Sequence, residues 1–213
     1  MIGFGATARG AVTGLNGLGV TDVRVLTHRE IAAVAAPIHS VQMVHFSESA
    51  GASDVGQAIT DDGPRDLAGF LAEHDLIVNC VLQDPDSPMM LLTEADLPRL
   101  APGTLVVDVS CDEGMGFSWA RPTTFDEPTV PVGDRVTHYG VDHSPSHLWA
   151  SATWENSAAL LPFLATIMAG PDAWDADPAI ARAVEIREGV VLNPAILSFQ
   201  GRAPAHPHRI LAS

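Results

Sequence analysis

A chain of 213 residues with 46% hydrophobic and 17% charged residues reads as globular, long enough for one substantial core and a smaller second lobe. The formal net charge of -15 opposes non-specific binding to nucleic acid or to an anionic membrane, no apolar run reaches the roughly 18 residues of a spanning helix, and no basic stretch precedes an apolar leader. All eleven basic residues are Arg, which removes lysine Schiff-base chemistry, and two cysteines, Cys80 and Cys111, are too few for a disulfide framework and point to a reducing cytoplasm.

The chain opens MIGFGATARG. Gly3, Gly5 and Ala8 form G-x-G-x-x-A between a two-residue strand remnant and a helix expected over 8–18. This is the dinucleotide fingerprint in its Ala form. Gly3 permits the tight turn, Gly5 lets a pyrophosphate approach the backbone, and Ala8 lets the helix pack on the sheet. Ala6 and Thr7 belong to the glycine-rich turn, and the N-terminus of the helix that follows faces the phosphates with free N–H groups and a positive dipole end.

A strand over 23–26 runs into Thr27, His28 and Arg29. An NAD site places an acid at this strand tip to accept from the ribose 2′-OH. A hydroxyl, an imidazole and a guanidinium suit a 2′-phosphate instead, so the pattern favours NADP over NAD.

A short helix over 29–35, a strand over 41–46 and a polar loop over 47–63 follow. A helix is expected over 64–73, with Pro64 at its first position. Buried strands at 76–78 and 105–109 flank a helix over 91–100. Residues 111–131 read as a long irregular stretch of the kind that carries function. A strand over 136–141 precedes helices over 145–169 and 176–187, and the tail from 189 has no clear period. Apolar strands alternating with helices argue for a parallel sheet covered on both faces. The fold class is therefore α/β, a Rossmann-type doubly wound parallel sheet with a C-terminal helical extension, divided as 1–150 and 151–213.

Asp112 follows a central strand at its carboxyl end, where open parallel sheets bind ligands, and His143 follows the next strand at the same edge. Together they are the candidate proton-handling residues. Asp142 either orients His143 or caps the next helix. The other histidines lack ligand spacing, so no metal site is expected.

The stretch VVDVSCDEGMGFSWARPTTFDEPT, with VTHYGVDHSPSHLW and ENSAALLPFL after it, resembles the alanine dehydrogenase and pyridine nucleotide transhydrogenase family over about residues 2–202. The VDHSPS form with Trp149 is similar to the opine-forming carboxyethylornithine synthase branch. The resemblance implies a reductase that condenses a 2-oxo acid with an amine and reduces the imine with NADPH. It places Thr27 at the ribose-binding position, Val81 and Leu82 beside the nicotinamide, Asp112 beside the reacting centre and His143 near the nicotinamide pocket. In that family a preceding lobe supplies a Lys and an Arg that hold the oxo acid, and the C-terminal helices pack on it. This sequence is expected to lack that lobe, so a homodimer or a partner chain is expected to cover the helices. The residues leave two other readings open, a non-catalytic nucleotide-binding module and a redox-neutral enzyme such as a cyclase or epimerase.

Overall fold

The computed structural model describes residues 1–28, 40–47, 56–84 and 86–211. It divides into two compact units, Met1–Asp142 and His143–Ser213. The sequence-based division at residue 150 falls in the first turn of the long helix that begins at Trp149.

In the first unit, α1 (Ala6–Gly17) follows the glycine turn and buries Ala8 and Val12. The strands are β1 (Val23–Thr27), β2 (Val41–Ser47), β3 (Gln57–Thr60) and β4 (Gly63–Asp66), then, after the short helix α2 (Leu67–Leu71), β5 (Leu76–Asn79), β6 (Met90–Leu92), β7 (Thr104–Asp108), β8 (Gly116–Phe117), β9 (Thr129–Val132) and β10 (Val136–Tyr139). β1 and β2 pair in parallel, and β3 and β4 extend that half as an antiparallel hairpin. β5, β7 and β10 pair in parallel, and β9 closes that half antiparallel. β6 and β8 form a separate ribbon.

Ile2 joins the two halves. It bridges in parallel to Leu26 on one side and to Asn79 on the other. The Ile2 N–H donates to the Val78 carbonyl at 2.8 Å, the Cys80 N–H to the Ile2 carbonyl at 2.9 Å, and the Leu26 and Gly3 N–H groups to the Met1 and Leu26 carbonyls, both at 2.8 Å. The parallel order is therefore β2, β1, the Met1–Gly3 segment, β5, β7, β10, which is the 3-2-1-4-5-6 order of a doubly wound sheet. One face of the sheet buries Ile2, Leu26, Val44, Ile77, Val106 and Phe117. The other buries Met1, Val25 and Val78 against Phe4, Ala8 and Val12.

Several expected elements differ. Within the described part of 47–63 the backbone is paired as β3, and the region expected as a helix from Pro64 begins as β4. Pro64 lacks an N–H and sits without cost in this terminal strand. Helix starts only at Leu67, where the Asp66 carboxylate accepts from the Gly69 N–H at 2.8 Å. Residues 91–100 divide into β6 and a 3-10 helix, Glu94–Arg99, whose Thr93 and Asp96 form a capping box. Leu91 and Leu92 need cross-strand cover and find it in β8. The short helix expected over 29–35, with Arg29, lies outside the described residues.

The second unit opens with a 3-10 helix, Ser144–Leu148, and continues as α3 (Trp149–Ala169), α4 (Pro171–Ala176) and α5 (Pro178–Ala183). The expected helix over 176–187 is divided because Asp177 and Pro178 start a new one, with Asp177 accepting from the Ala179 N–H at 2.8 Å. The chain then leaves helix for a small hairpin, β11 (Ile186–Arg187) and β12 (Val190–Val191), followed by α6 (Pro194–Phe199).

His138 on β10 is fully buried beside Phe117, ring centroids 6.4 Å apart. Burial holds its pKa below the ordinary 6.5. The unfolded chain therefore takes up the proton first, and stability present above about pH 6.5 is lost as pH falls toward the folded pKa. His138→Phe removes that titration. Urea midpoints at pH 7.5 and 5.5 are expected to fall less for the variant than for the wild type.

Candidate functional site

The site is built on the carboxyl edge of the parallel strands, at the point where strand order reverses. Ligands bind open α/β sheets at this point because the chain leaves in opposite directions on either side and opens a crevice. The Met1–Gly3 segment, β1 and β5 bound it.

Gly3 has φ +95°, and a Cβ there would lie 3.2 Å from the Cys80 carbonyl oxygen and 3.3 Å from Val81 Cγ2. Gly3 is thus required by the turn itself. Gly5 is different. Its φ is -77° and a Cβ there would meet nothing within 4 Å. Gly5, Ala6 and Thr7 are exposed, whereas Ala8 is buried against the sheet. No side chain caps α1 at Gly5, and no acid lies in its first turn. An uncapped helix start with free N–H groups and no acid fits a dinucleotide phosphate.

Thr27 ends β1 and is buried, and His28 beyond it is exposed with its ring 3.6 Å from that of Phe46. Across the crevice, Val81 is half-buried and Leu82 is 93% exposed. Asp112 is exposed on the loop after β7, its carbonyl accepting from the Met115 N–H at 3.1 Å. His143 is exposed and is the first residue of the second unit, at the N-cap of the 3-10 helix. Asp142 is the last residue of the first unit.

Two residues that sequence reading passed over hold this edge together. Asn79 and Asp108, each fully buried, end β5 and β7 side by side, and Asn79 Nδ2 donates to Asp108 Oδ1 at 2.9 Å. Burial pushes the Asp108 carboxyl pKa up, opposed by the N–H groups of Cys111 and Ser110 and by the Asn79 amide. The available signal was an amide and an acid at the ends of otherwise apolar strands, LIVN and TLVVD, since such groups are seldom fully buried without a structural reason. Burial also pushes the thiols of Cys80 and Cys111 up to about 11, so neither is a thiolate at neutral pH. Among the described residues, no three His, Cys, Asp or Glu side chains gather where they could hold a metal, and no helix is long and apolar enough to cross a membrane.

A glycine turn opening onto α1, at the reversal point of a doubly wound sheet, defines a Rossmann-type α/β protein. Residues 1–194 match the model of the alanine dehydrogenase/PNT family, C-terminal domain, and the chain belongs to that family. It is similar to alanine dehydrogenase of Mycobacterium tuberculosis strain ATCC 25618 / H37Rv, 27% identical over 151 residues, covering 69% of this chain and 40% of that protein. Over 101 residues it is 37% identical to alanine dehydrogenase of Halomonas elongata, covering 47% of this chain and 27% of that one. The fold resembles a solved L-alanine dehydrogenase with a TM-score of 0.68 at 23% identity, over 92% of this chain and 51% of that chain. The chain thus spans less than half the length of these two curated relatives.

The two glycines predict opposite stability outcomes. Gly3→Ala forces a side chain into a left-handed conformation against the Cys80 carbonyl and is expected to cost about 1–3 kcal/mol. Gly5→Ala adds a methyl in open space and is expected to stay within about 0.5 kcal/mol of wild type. Urea unfolding of both variants checks this.

Proposed function

We propose that the chain is the nicotinamide-dinucleotide-binding part of an oxidoreductase acting on amino acids or imines, with NADP preferred over NAD. The observation that carries the reading is Gly5. No backbone strain and no neighbour requires glycine there, so the space above it is left for a ligand that must touch the backbone. The placement of the turn at the strand-order reversal and the alanine dehydrogenase relatives support the same reading.

When bound, the cofactor supplies hydride transfer at the carbon bearing nitrogen. Gly3, Gly5, Ala6 and Thr7 hold its pyrophosphate, and the buried Ala8 packs the helix on the sheet beneath it. Thr27 and His28 stand at the ribose end, and neither is an acid that would repel a 2′-phosphate. Val81 and Leu82 line the opposite side of the crevice. Asp112, exposed on the loop after β7, exchanges the proton with the substrate amine or carbinolamine. The substrate class is a 2-oxo acid, an amino acid or an imine, as in opine-type reductive amination. The reducing cytoplasm suits the two inert thiols.

Titration with NADPH and NADH, followed by nicotinamide fluorescence, tests the reading. Micromolar binding with NADPH preferred is expected, and Gly5→Ala is expected to weaken it at least tenfold while the fold stays intact. Absence of binding to either nucleotide would overturn the reading and favour a redox-neutral role for the fold.

The partner of the second unit is a second copy of this chain. α3 has one charged residue in 21, Glu155, and buries none of its residues. An exposed apolar face of this kind marks an interaction surface. Leu148, Trp149, Trp154, Leu160, Leu161 and Met168 are all strongly exposed. At roughly 100–200 Å² each they supply on the order of the 800 Å² per partner of a standard interface. An apolar cleft of about 450 Å³ between α3, α4 and α5, lined by Phe163, Ile167, Trp174 and Ile180, continues the face. Light scattering at micromolar concentration is expected to give twice the 22.4 kDa chain mass. Leu160→Glu is expected to shift it to monomer, and a monomeric wild type would sink the proposal.

A further inference from the structure

The loops that close the crevice on the β5 and β7 side are tied to one buried side-chain pair. Asn79 uses both ends of its amide. Its Nδ2 donates to Asp108 Oδ1 at 2.9 Å, and its Oδ1 accepts from the Val81 N–H at 3.3 Å. Its backbone carbonyl accepts from the Val109 N–H at 2.9 Å. Ser110 Oγ reaches back to the Val81 carbonyl at 2.5 Å. Three residues beyond Asp108, Cys111 is held at φ +44°, a conformation rare for a residue with a side chain. Asp112 is the next residue.

The same amide is walled in. Gly116, at φ +75°, lies where a Cβ would be 3.1 Å from both Asn79 Nδ2 and Gln83 Nε2. Gln83 Oε1 in turn accepts from the Met89 N–H at 2.6 Å. Apolar strand ends would pack this position without a buried acid, and burying one is costly unless it holds something in place. What it holds are the two segments, Val81–Leu82 and Cys111–Asp112, that face each other at the carboxyl edge.

We infer that Asn79 and Asp108 are positioning residues that set both loops against the nicotinamide half of the dinucleotide, while the glycine turn and the tip of β1 hold the pyrophosphate and adenosine half. The inference rests on the nicotinamide-dinucleotide reading above. The pair is directional. Asn79 supplies the donor and Asp108 the acceptor, so Asn79→Asp sets two carboxylates face to face and Asp108→Asn replaces a carboxylate oxygen of the pair with a buried amide donor. The double exchange, Asn79→Asp with Asp108→Asn, restores a donor facing an acceptor across the pair and only moves the charge.

Three ligand readouts separate positioning from general damage: NADPH affinity, nicotinamide fluorescence enhancement and affinity for 2′,5′-ADP. Each single variant is expected to lose at least fivefold in NADPH affinity and most of the enhancement, with 2′,5′-ADP binding within twofold of wild type. The double exchange is expected to bring NADPH back to within about twofold. Gly116→Ala is expected to behave like the single variants, and it serves where a single exchange does not fold. Unchanged NADPH binding in the variants, equal loss of both ligands, or no rescue by the double exchange overturns the inference. Failure of the wild type to bind any nicotinamide nucleotide instead overturns the proposed function, and this inference with it.

Discussion

Three residues at the start of the described chain hold the sheet in one piece. Met1, Ile2 and Gly3 make hydrogen bonds to β1 on one side and β5 on the other, and Ile2 is fully buried between them. Without that segment β1 and β5 have no common neighbour, and the four-stranded halves are separate. A strand needs only enough residues to satisfy the edges it pairs with, and here two edges are satisfied over a very short length. The glycine turn follows directly, so the residues that close the sheet also aim the turn.

This economy couples stability and site. Gly3 donates to Leu26 while its α-carbon lies against Cys80 and Val81, so the turn, the tip of β1 and the start of the β5 loop share one small volume. Asn79 and Asp108 extend the coupling to β7. The carboxyl edge is therefore a connected set of backbone and side-chain contacts, and the exposed groups on it, Thr7, Leu82 and Asp112, are presented from a rigid base. Such preorganisation is what a site needs if a bound dinucleotide is to be oriented rather than merely captured.

Much of the first unit was legible from residue pattern. The apolar runs at Val23, Leu76 and Leu105 are strands, and Gly3-x-Gly5-x-x-Ala8 opens a helix as expected, because a short buried run and a glycine turn are local signals. The misread segments were those in which a distant partner decided the conformation. Pro64 suits both a helix start and a terminal strand, and pairing with β3 chose the strand. Leu91 and Leu92 suit a helix face, and β8, more than twenty residues later, made them a strand. Ala176–Arg187 has helical composition, but Asp177-Pro178 is a stronger local stop and start than the pattern around it.

By itself the sequence determined the α/β class, the glycine turn and the family, since each depends on residue types at fixed short spacings. It also marked the apolar character of α3, which composition alone reveals. The tertiary structure decided which glycine is demanded by the backbone and which leaves open space, because that is a question of what lies within 4 Å. It likewise decided that Asn79 and Asp108, 29 residues apart, form one buried pair. Register between β5 and β7 sets that pairing, and register is fixed by the packing of whole sheet faces rather than by any residue within either strand.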